Sequence, residues 1–158
     1  MARSFKSVGK TSDQVRAEDL AIAATPIPIG IVTPLQLGTG NDGIFKMNSS
    51  LADQIADNLR NLVQTNWGER LGQYFFGANL QELTTEIVSQ DSFEDEAMNR
   101  IKSTVTRWMP YVNLLDFSSE IDNQFRSKST GKIRVNMTYT VAGVQDLPRS
   151  LQIELYII

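Results

Sequence analysis

Apolar residues recur with helical spacing in two long segments of the chain. The first spans about residues 50–66, where Ser50 offers an N-cap oxygen and Gly68 follows as a stop signal. The second begins at Ser92, with acidic residues in its first turn, and ends before Pro110. The apolar residues that form a stripe along the first helix are Leu51, Ile55, Leu59, Leu62 and Val63. The apolar stripe of the second helix consists of Phe93, Ala97, Met98, Ile101, Val105 and either Trp108 or Met109. The other faces of the first helix carry Asp53, Asp57, Asn58, Arg60 and Asn61.

The spacing changes to the alternation of β-strands after Pro110. Residues 112–125 are a plausible but irregular strand, and residues 132–141 and 151–158 alternate cleanly. The apolar positions of the last two are Ile133, Val135, Met137, Tyr139 and Val141, then Leu151, Ile153, Leu155 and Ile157. Short connections between three strands favour an antiparallel meander. With a short helical piece over residues 78–89, the pattern predicts an α+β fold in which two main helices and that piece pack on a three-stranded, mainly antiparallel sheet.

The N-terminal part of the chain has no sustained period. Residues 1–24 are polar and rich in small residues, with a short helix possible near their end. Residues 25–43 mix prolines and glycines with isolated apolar residues, which predicts extended, irregular backbone. We therefore expect residues 1–40 to form an extended arm and residues 41–158 the folded domain. The apolar residues of the arm must contact a surface, in their own domain or in another subunit.

The last strand is expected to lie at an edge of this small sheet. Edge strands that lack charge and proline pair readily with another chain. Such an edge fits a component of an assembly, although a cover from within the domain is equally compatible with the sequence.

The composition narrows the chemistry available to the chain. It has 158 residues, a net charge of −3, and neither cysteine nor histidine. These absences exclude disulfides, thiolate nucleophiles, imidazole metal sites and Ser-His-Asp catalysis. The mixed charges and the lack of a long apolar run argue against nucleic acid and membranes as partners. We expect a protein that is not an enzyme and that has no metal or cofactor.

Charge, glycine and large apolar side chains converge in one segment, Trp67 to Leu80. Glu69 and Arg70 could be a catalytic acid and an electrophile, or they could hold neighbouring segments together. A glycosidase needs a second carboxylate about 5–10 Å away, and the spacing selects none. The candidates are Glu82, Glu86, Asp91 and Asp116. The aromatic residues at 74–76 are more typical of core or interface anchors than of a sugar site.

The same segment resembles the signature of a known family. Gly68, Glu69 and Arg70 form a Gly-Glu-Arg triplet after an amphipathic helix, and Gly-x-x-Leu follows after six intervening residues. The whole pattern is matched by Gly68, Glu69, Arg70, Phe76, Gly77 and Leu80. It resembles that of the phage baseplate assembly protein W family, also called the tail-lysozyme-like baseplate wedge family, and the resemblance covers about residues 40–158.

Two departures from the family pattern accompany the match. Tyr74 and Phe75 stand where members often have a proline and an acidic residue. The family's Glu-Pro-Arg-Ile is replaced here by residues 109–112, of which only Pro110 agrees. An internal salt bridge between the two motifs cannot form here in the same way.

The resemblance implies a structural role in the inner baseplate of a contractile phage tail, in the virion, after assembly in the host cytoplasm. The implied partners are other baseplate wedge proteins and the tail sheath protein, with tube or hub proteins as further candidates. It implies that the chain templates the first sheath ring by strand sharing, so that Ile153 and Leu155 join the motif residues as structural and interface positions. The alternative is a peptidoglycan-degrading tail lysozyme that uses Glu69.

Overall fold

The computed structural model describes residue 9 and residues 11–24, 27–39, 43–86, 90–122 and 131–157. Its helices and strands are, in chain order, α1 (Ser12–Ala24), β1 (Gly30–Ile31), β2 (Met47–Asn48), α2 (Leu51–Gln64), α3 (Leu80–Glu86), α4 (Gln90–Trp108), β3 (Val112–Asp122), β4 (Gly131–Val141) and β5 (Gln145–Ile157). The α+β prediction, with helices followed by three strands, is confirmed. Ile87 and Val88, expected in the short helical piece, lie outside the described residues.

The sheet is an antiparallel meander in the order β3-β4-β5, as predicted. Its alternation sends every apolar position of β4 into the core, and Ile133 and Val135 are completely shielded from solvent. On the opposite face Arg134 pairs with Glu120 on β3 and lies 3.9 Å from Glu154 on β5. One face is therefore apolar and covered by helices, while the other is polar.

The two main helices supply most of the remaining core. Leu59 and Leu62 of α2 and Ile101 of α4 are almost fully buried. Two predicted stripe positions, Leu51 and Met98, are instead exposed. Leu51 is the first residue of its helix, and Met98 lies beside a surface cavity between α4 and β3.

The first long helix ends earlier than the glycine signal indicated. Its C-cap residue is Thr65, whose N–H donates to the Asn61 carbonyl and whose backbone is extended. The Thr65 hydroxyl donates to the same carbonyl at 2.6 Å. Gly68 therefore does not cap α2, and the prediction that it ends the helix is wrong. It lies within the following loop.

The described part of the N-terminal region contains regular elements. Residues 12–24 form α1, in the segment where the sequence allowed a short helix. Strands β1 and β2 pair, and Leu37 forms an antiparallel bridge with Phe45. Together these residues make an N-terminal hairpin (residues 27–39 and 43–48), which crosses the boundary expected at residue 40.

Candidate functional site

The segment that follows α2 is a loop closed on its own base (residues 65–79). At the base the N–H of Ala78 donates to the Leu62 carbonyl, and the N–H of Asn79 donates to the Thr65 carbonyl. Higher up, the N–H of Gly68 donates to the Tyr74 carbonyl at 2.8 Å. These bonds satisfy helix-end carbonyls and give the loop a fixed shape.

Gly77 is required by that shape. Its backbone φ of +106° is one that residues with a side chain rarely adopt, and a Cβ at this position would overlap the Thr65 carbonyl oxygen. The Gly77 carbonyl accepts hydrogen bonds from the Trp67 indole N–H at 3.1 Å and from the Thr104 hydroxyl at 3.4 Å. The glycine thus lets the loop return against the end of α2 and the side of α4.

Glu69 is tied to the start of the loop. Its carboxylate accepts hydrogen bonds from the backbone N–H and the side-chain amide of Asn66, both at 2.9 Å. These bonds, the backbone one most of all, lower the pKa of the Glu69 carboxyl below its ordinary value. The residue is exposed. Its contacts are those of a carboxylate that caps a turn.

Arg70 points to a different partner. Its guanidinium carbon lies 4.0 Å from the centroid of the Phe76 ring, a cation–π contact. The Phe76 ring packs edge-on against Trp108 of α4, with centroids 5.2 Å apart. Within the described part of the chain Arg70 forms no salt bridge, and its one side-chain hydrogen bond, to Gln73, is long at 3.5 Å. Glu69 and Arg70 therefore do not pair with each other.

The aromatic residues at 74–76 divide between core and surface. Phe76 is half-buried against the core, whereas Tyr74 and Phe75 are exposed and pack edge-on against each other at 5.1 Å. Phe75 also meets the Trp67 ring edge-on at 5.7 Å. Leu71, at the tip of the loop, is fully exposed. The loop therefore presents apolar side chains to solvent on a backbone that is held rigidly.

A cavity of about 270 Å³ lies beside this loop, and we call it the Arg70 cavity. Arg70, Phe76 and Trp108 line one part of it, and α2 contributes amide side chains. The lining residues are Asn58, Asn61, Leu62, Arg70, Phe76, Trp108, Met109 and Tyr111. The indole N–H of Trp108 is buried and has no acceptor among the described residues.

The last motif residue, Leu80, is buried in the core at the start of α3. Just before it Asn79 has a φ of +50°. Arg100 of α4 holds this corner, because its guanidinium donates to the Asn79 carbonyl at 3.0 Å and to the Glu82 carboxylate at 2.9 Å. The motif thus joins the end of α2, the start of α3 and the side of α4.

A buried carboxylate that the sequence reasoning missed lies on the other side of α2. Asp57 was expected on an exposed face, but only 8% of it is accessible. Its carboxylate accepts hydrogen bonds from Asn48 at 2.7 Å, from the Thr33 N–H at 3.0 Å and from Arg60 at 3.0 Å. Arg60 also donates to the Thr33 carbonyl at 2.9 Å. We call this set the Asp57 cluster, and it fastens the N-terminal hairpin to α2.

The apolar side chains of the hairpin are largely left in solvent. Ile27, Leu37 and Ile44 are each more than three-quarters exposed. Ile29, Ile31 and Leu35 are also exposed. The hairpin is therefore held to its own domain mainly by polar contacts, with apolar groups available to a further surface.

The final strand forms one edge of the sheet. Within the described part of the chain β4 is its only strand partner. Ile153 is buried and Leu155 is packed against the core, so both point inward from this edge. Arg149, near its start, donates to Asp53 of α2 at 2.7 Å.

The other charged candidates have structural partners. Glu82 pairs with Arg100, and Asp116 accepts a hydrogen bond from the N–H of Phe117. The side chains of Glu86 and Asp91 lie outside what is described. In the described residues no group of three acidic side chains could hold a metal ion, and no described helix is long and apolar enough to cross a membrane.

Comparison with known proteins identifies similar folds. No protein-family model matches the chain, and no curated protein matches it. A putative tail lysozyme from Geobacter sulfurreducens aligns with a TM-score of 0.58 and 19% identity, over 71% of this chain and 96% of its own. A chain of the 6-fold symmetrised anti-feeding prophage (AFP) baseplate aligns with a TM-score of 0.56 and 22% identity, over 73% and 86%. This chain therefore has a fold similar to those of a putative tail lysozyme and a baseplate protein.

Proposed function

We propose that the chain is a structural component of the inner baseplate of a contractile tail, where it joins wedge proteins and offers a strand to the first sheath ring. The observation that carries this proposal is the outer edge of β5, which pairs with no further strand in the described part of the chain, on a fold similar to that of an AFP baseplate chain. The fold likeness supports a place in a tail baseplate. The edge supports strand sharing.

The geometry of β5 suits the addition of another strand. From Arg149 to Ile157 every residue of β5 has a register partner on β4, from Tyr139 back to Gly131. The register shift between these two strands comes before this stretch of β5, between the pairs Val141–Gln145 and Tyr139–Arg149. The opposite edge strand, β3, carries an irregularity between Leu114 and Asp116. Irregular edges resist pairing, whereas regular ones present backbone donors and acceptors to a second chain. We therefore expect a sheath strand to be added along the regular stretch of β5, from Arg149 to Ile157.

The surroundings of Glu69 support a structural role over the lysozyme alternative. The general acid of a glycosidase is a carboxyl group whose pKa is raised, usually by an apolar site. The pKa of Glu69 is lowered instead, by the hydrogen bonds from Asn66. If purified protein cleaved peptidoglycan and Glu69→Gln abolished the cleavage, the structural proposal would be overturned.

The strand-sharing proposal is best tested in the intact chain. Deleting residues 150–158 would remove Leu151 and Ile153 from the core and would therefore unfold the domain. Such a deletion cannot separate strand sharing from loss of folding. We suggest placing a photo-crosslinking phenylalanine derivative at Gln152, which is exposed on β5, and the same group at Lys102 on α4 as a control. Irradiation of assembled particles should join position 152 to the sheath protein and position 102 to no sheath strand. Crosslinks of position 152 confined to other proteins would contradict strand sharing.

A further inference from the structure

The Arg70 cavity combines a cation, an unsatisfied donor and an aromatic wall. Because it makes no salt bridge in the described part of the chain, Arg70 keeps its charge uncompensated. The Phe76 ring holds the guanidinium from one side. We propose that this cavity is a docking site for an acidic side chain of a neighbouring baseplate protein, whose carboxylate pairs with Arg70. This inference rests on the proposed function.

The chemistry of the lining favours a carboxylate over other anions. A guanidinium presents a planar fork of donors that matches the two oxygens of a carboxylate. Among the described residues that line the cavity, Arg70 is the only cationic one, and the rest are amide, aromatic or aliphatic and sulfur-containing apolar residues. One cation balances a carboxylate, whereas a phosphate group carries more charge and usually meets several cations. Asn58 and Asn61 add amide donors at the α2 side of the same cavity.

A buried donor in the cavity wall also favours an added acceptor. The Trp108 indole N–H lacks an acceptor among the described residues, and such a donor costs about 1–3 kcal/mol when buried. The neighbouring Arg107 guanidinium lies 5.4 Å from the centroid of the Trp108 ring and adds positive potential near the indole. A partner that brings a negative group to this wall therefore meets complementary charge.

The loop that carries Arg70 also supplies apolar surface outside the cavity. Leu71, Tyr74 and Phe75 are exposed on this loop and do not line the cavity. Tyrosine, tryptophan and arginine dominate the binding energy of protein interfaces. Surrounding apolar residues that exclude water strengthen an ion pair at the centre of an interface. The loop is fixed by its internal hydrogen bonds, so docking orders little new backbone. The partner segment should thus carry an acidic residue flanked by apolar ones.

Two variants at one position test the ion pair in assembled particles. Arg70→Glu reverses the charge without breaking a salt bridge of the described residues, and Lys102→Glu makes the same reversal in a cavity on another face. Arg70→Glu should lower incorporation into the baseplate about tenfold or more, since an interfacial charge pair is lost and replaced by repulsion. Lys102→Glu should be incorporated like the wild type. Thermal melting of both purified variants checks that they fold.

The second variant identifies the partner group. Arg70→Lys keeps the positive charge and introduces an amine, which a carbodiimide joins to a carboxylate only when the two are in contact. Treated particles should yield an amide between position 70 and an aspartate or glutamate of another baseplate protein. Normal incorporation of Arg70→Glu, or no such amide in particles that contain Arg70→Lys, would overturn the inference and leave the proposed function standing. Absence of the wild-type chain from the particles would overturn both.

Discussion

Replacing Asp57 should release the N-terminal hairpin from α2. The Asp57 carboxylate is buried and accepts three hydrogen bonds, which join Asn48 and Thr33 of the hairpin to Arg60 of the helix. Asp57→Ala leaves the Asn48 amide and the Thr33 N–H without their acceptor, and it removes the counter-charge of Arg60. The hairpin would then be held by few contacts, since its apolar side chains are exposed.

The expected loss in the free energy of unfolding follows from these contacts. Hydrogen bonds to a charged group contribute about 1.5–3 kcal/mol each, and breaking a buried ion pair costs about 3–5 kcal/mol. The Arg60 side chain is 30% exposed and can regain water, which reduces the cost. We therefore expect Asp57→Ala to lower the free energy of unfolding by about 3 kcal/mol. Asp53→Ala, one turn earlier on the same helix, removes an exposed pair with Arg149 and should cost less than about 1 kcal/mol.

Urea denaturation followed by tryptophan fluorescence measures both variants, and amide hydrogen exchange locates the change. The Thr33 N–H should exchange much faster in Asp57→Ala than in the wild type. The amides of β4 should keep the same ranking of exchange rates among themselves in both proteins. A loss no larger than that of Asp53→Ala, with an unchanged exchange rate at Thr33, would refute the role given to the Asp57 cluster.

Two further predictions concern the loop at residues 65–79. Gly77→Ala should lower the free energy of unfolding by more than about 2 kcal/mol, because its Cβ overlaps the Thr65 carbonyl at a positive φ. Gly72→Ala is also at a positive φ but in open space, and it should lower the free energy of unfolding by about 1 kcal/mol in the same urea assay. Equal losses in the two variants would contradict the close approach of Gly77 to Thr65. The lowered pKa of Glu69 means that its stabilising effect is present above the unfolded-state pKa and is lost as the pH falls through the folded-state pKa. The difference in stability between wild type and Glu69→Gln should therefore be below about 1 kcal/mol at pH 7 and vanish in acid, and a difference that grows in acid would refute this assignment.

The spacing of apolar residues along the chain predicted which faces of the strands and helices are buried. Alternation in residues 132–141 identified the buried face of β4 correctly, since successive side chains of a strand always point to opposite faces. The apolar stripe of α2 was predicted correctly except at its first position, Leu51, which is exposed. The end of that helix was not predicted correctly, because Thr65 caps it through its own hydroxyl and backbone, while Gly68 serves the loop.

Asp57 was missed because its partners are distant in sequence. On a helix it lies about 200° around the axis from the core residue Ile55. That side is covered by the N-terminal hairpin, whose Thr33 and Asn48 supply the donors. Nothing in the spacing of α2 signals such a cover. The asparagine that ends β2 is the one local hint, since it is a buried polar residue that needs a partner.

The internal contacts of the loop motif could not be foreseen from the sequence. Glu69 and Arg70 contact separate partners, Asn66 and Phe76. The choice of a ring as the partner of Arg70 depends on Trp108, which α4 brings in from far along the chain.

A cryo-EM map of the complete particle would test the central proposal most directly. It should show this fold in the inner baseplate, with a strand of the sheath protein hydrogen-bonded along the outer edge of β5. A particle that lacks the chain, or a baseplate in which that edge of β5 faces solvent while the sheath attaches elsewhere, would contradict the proposal.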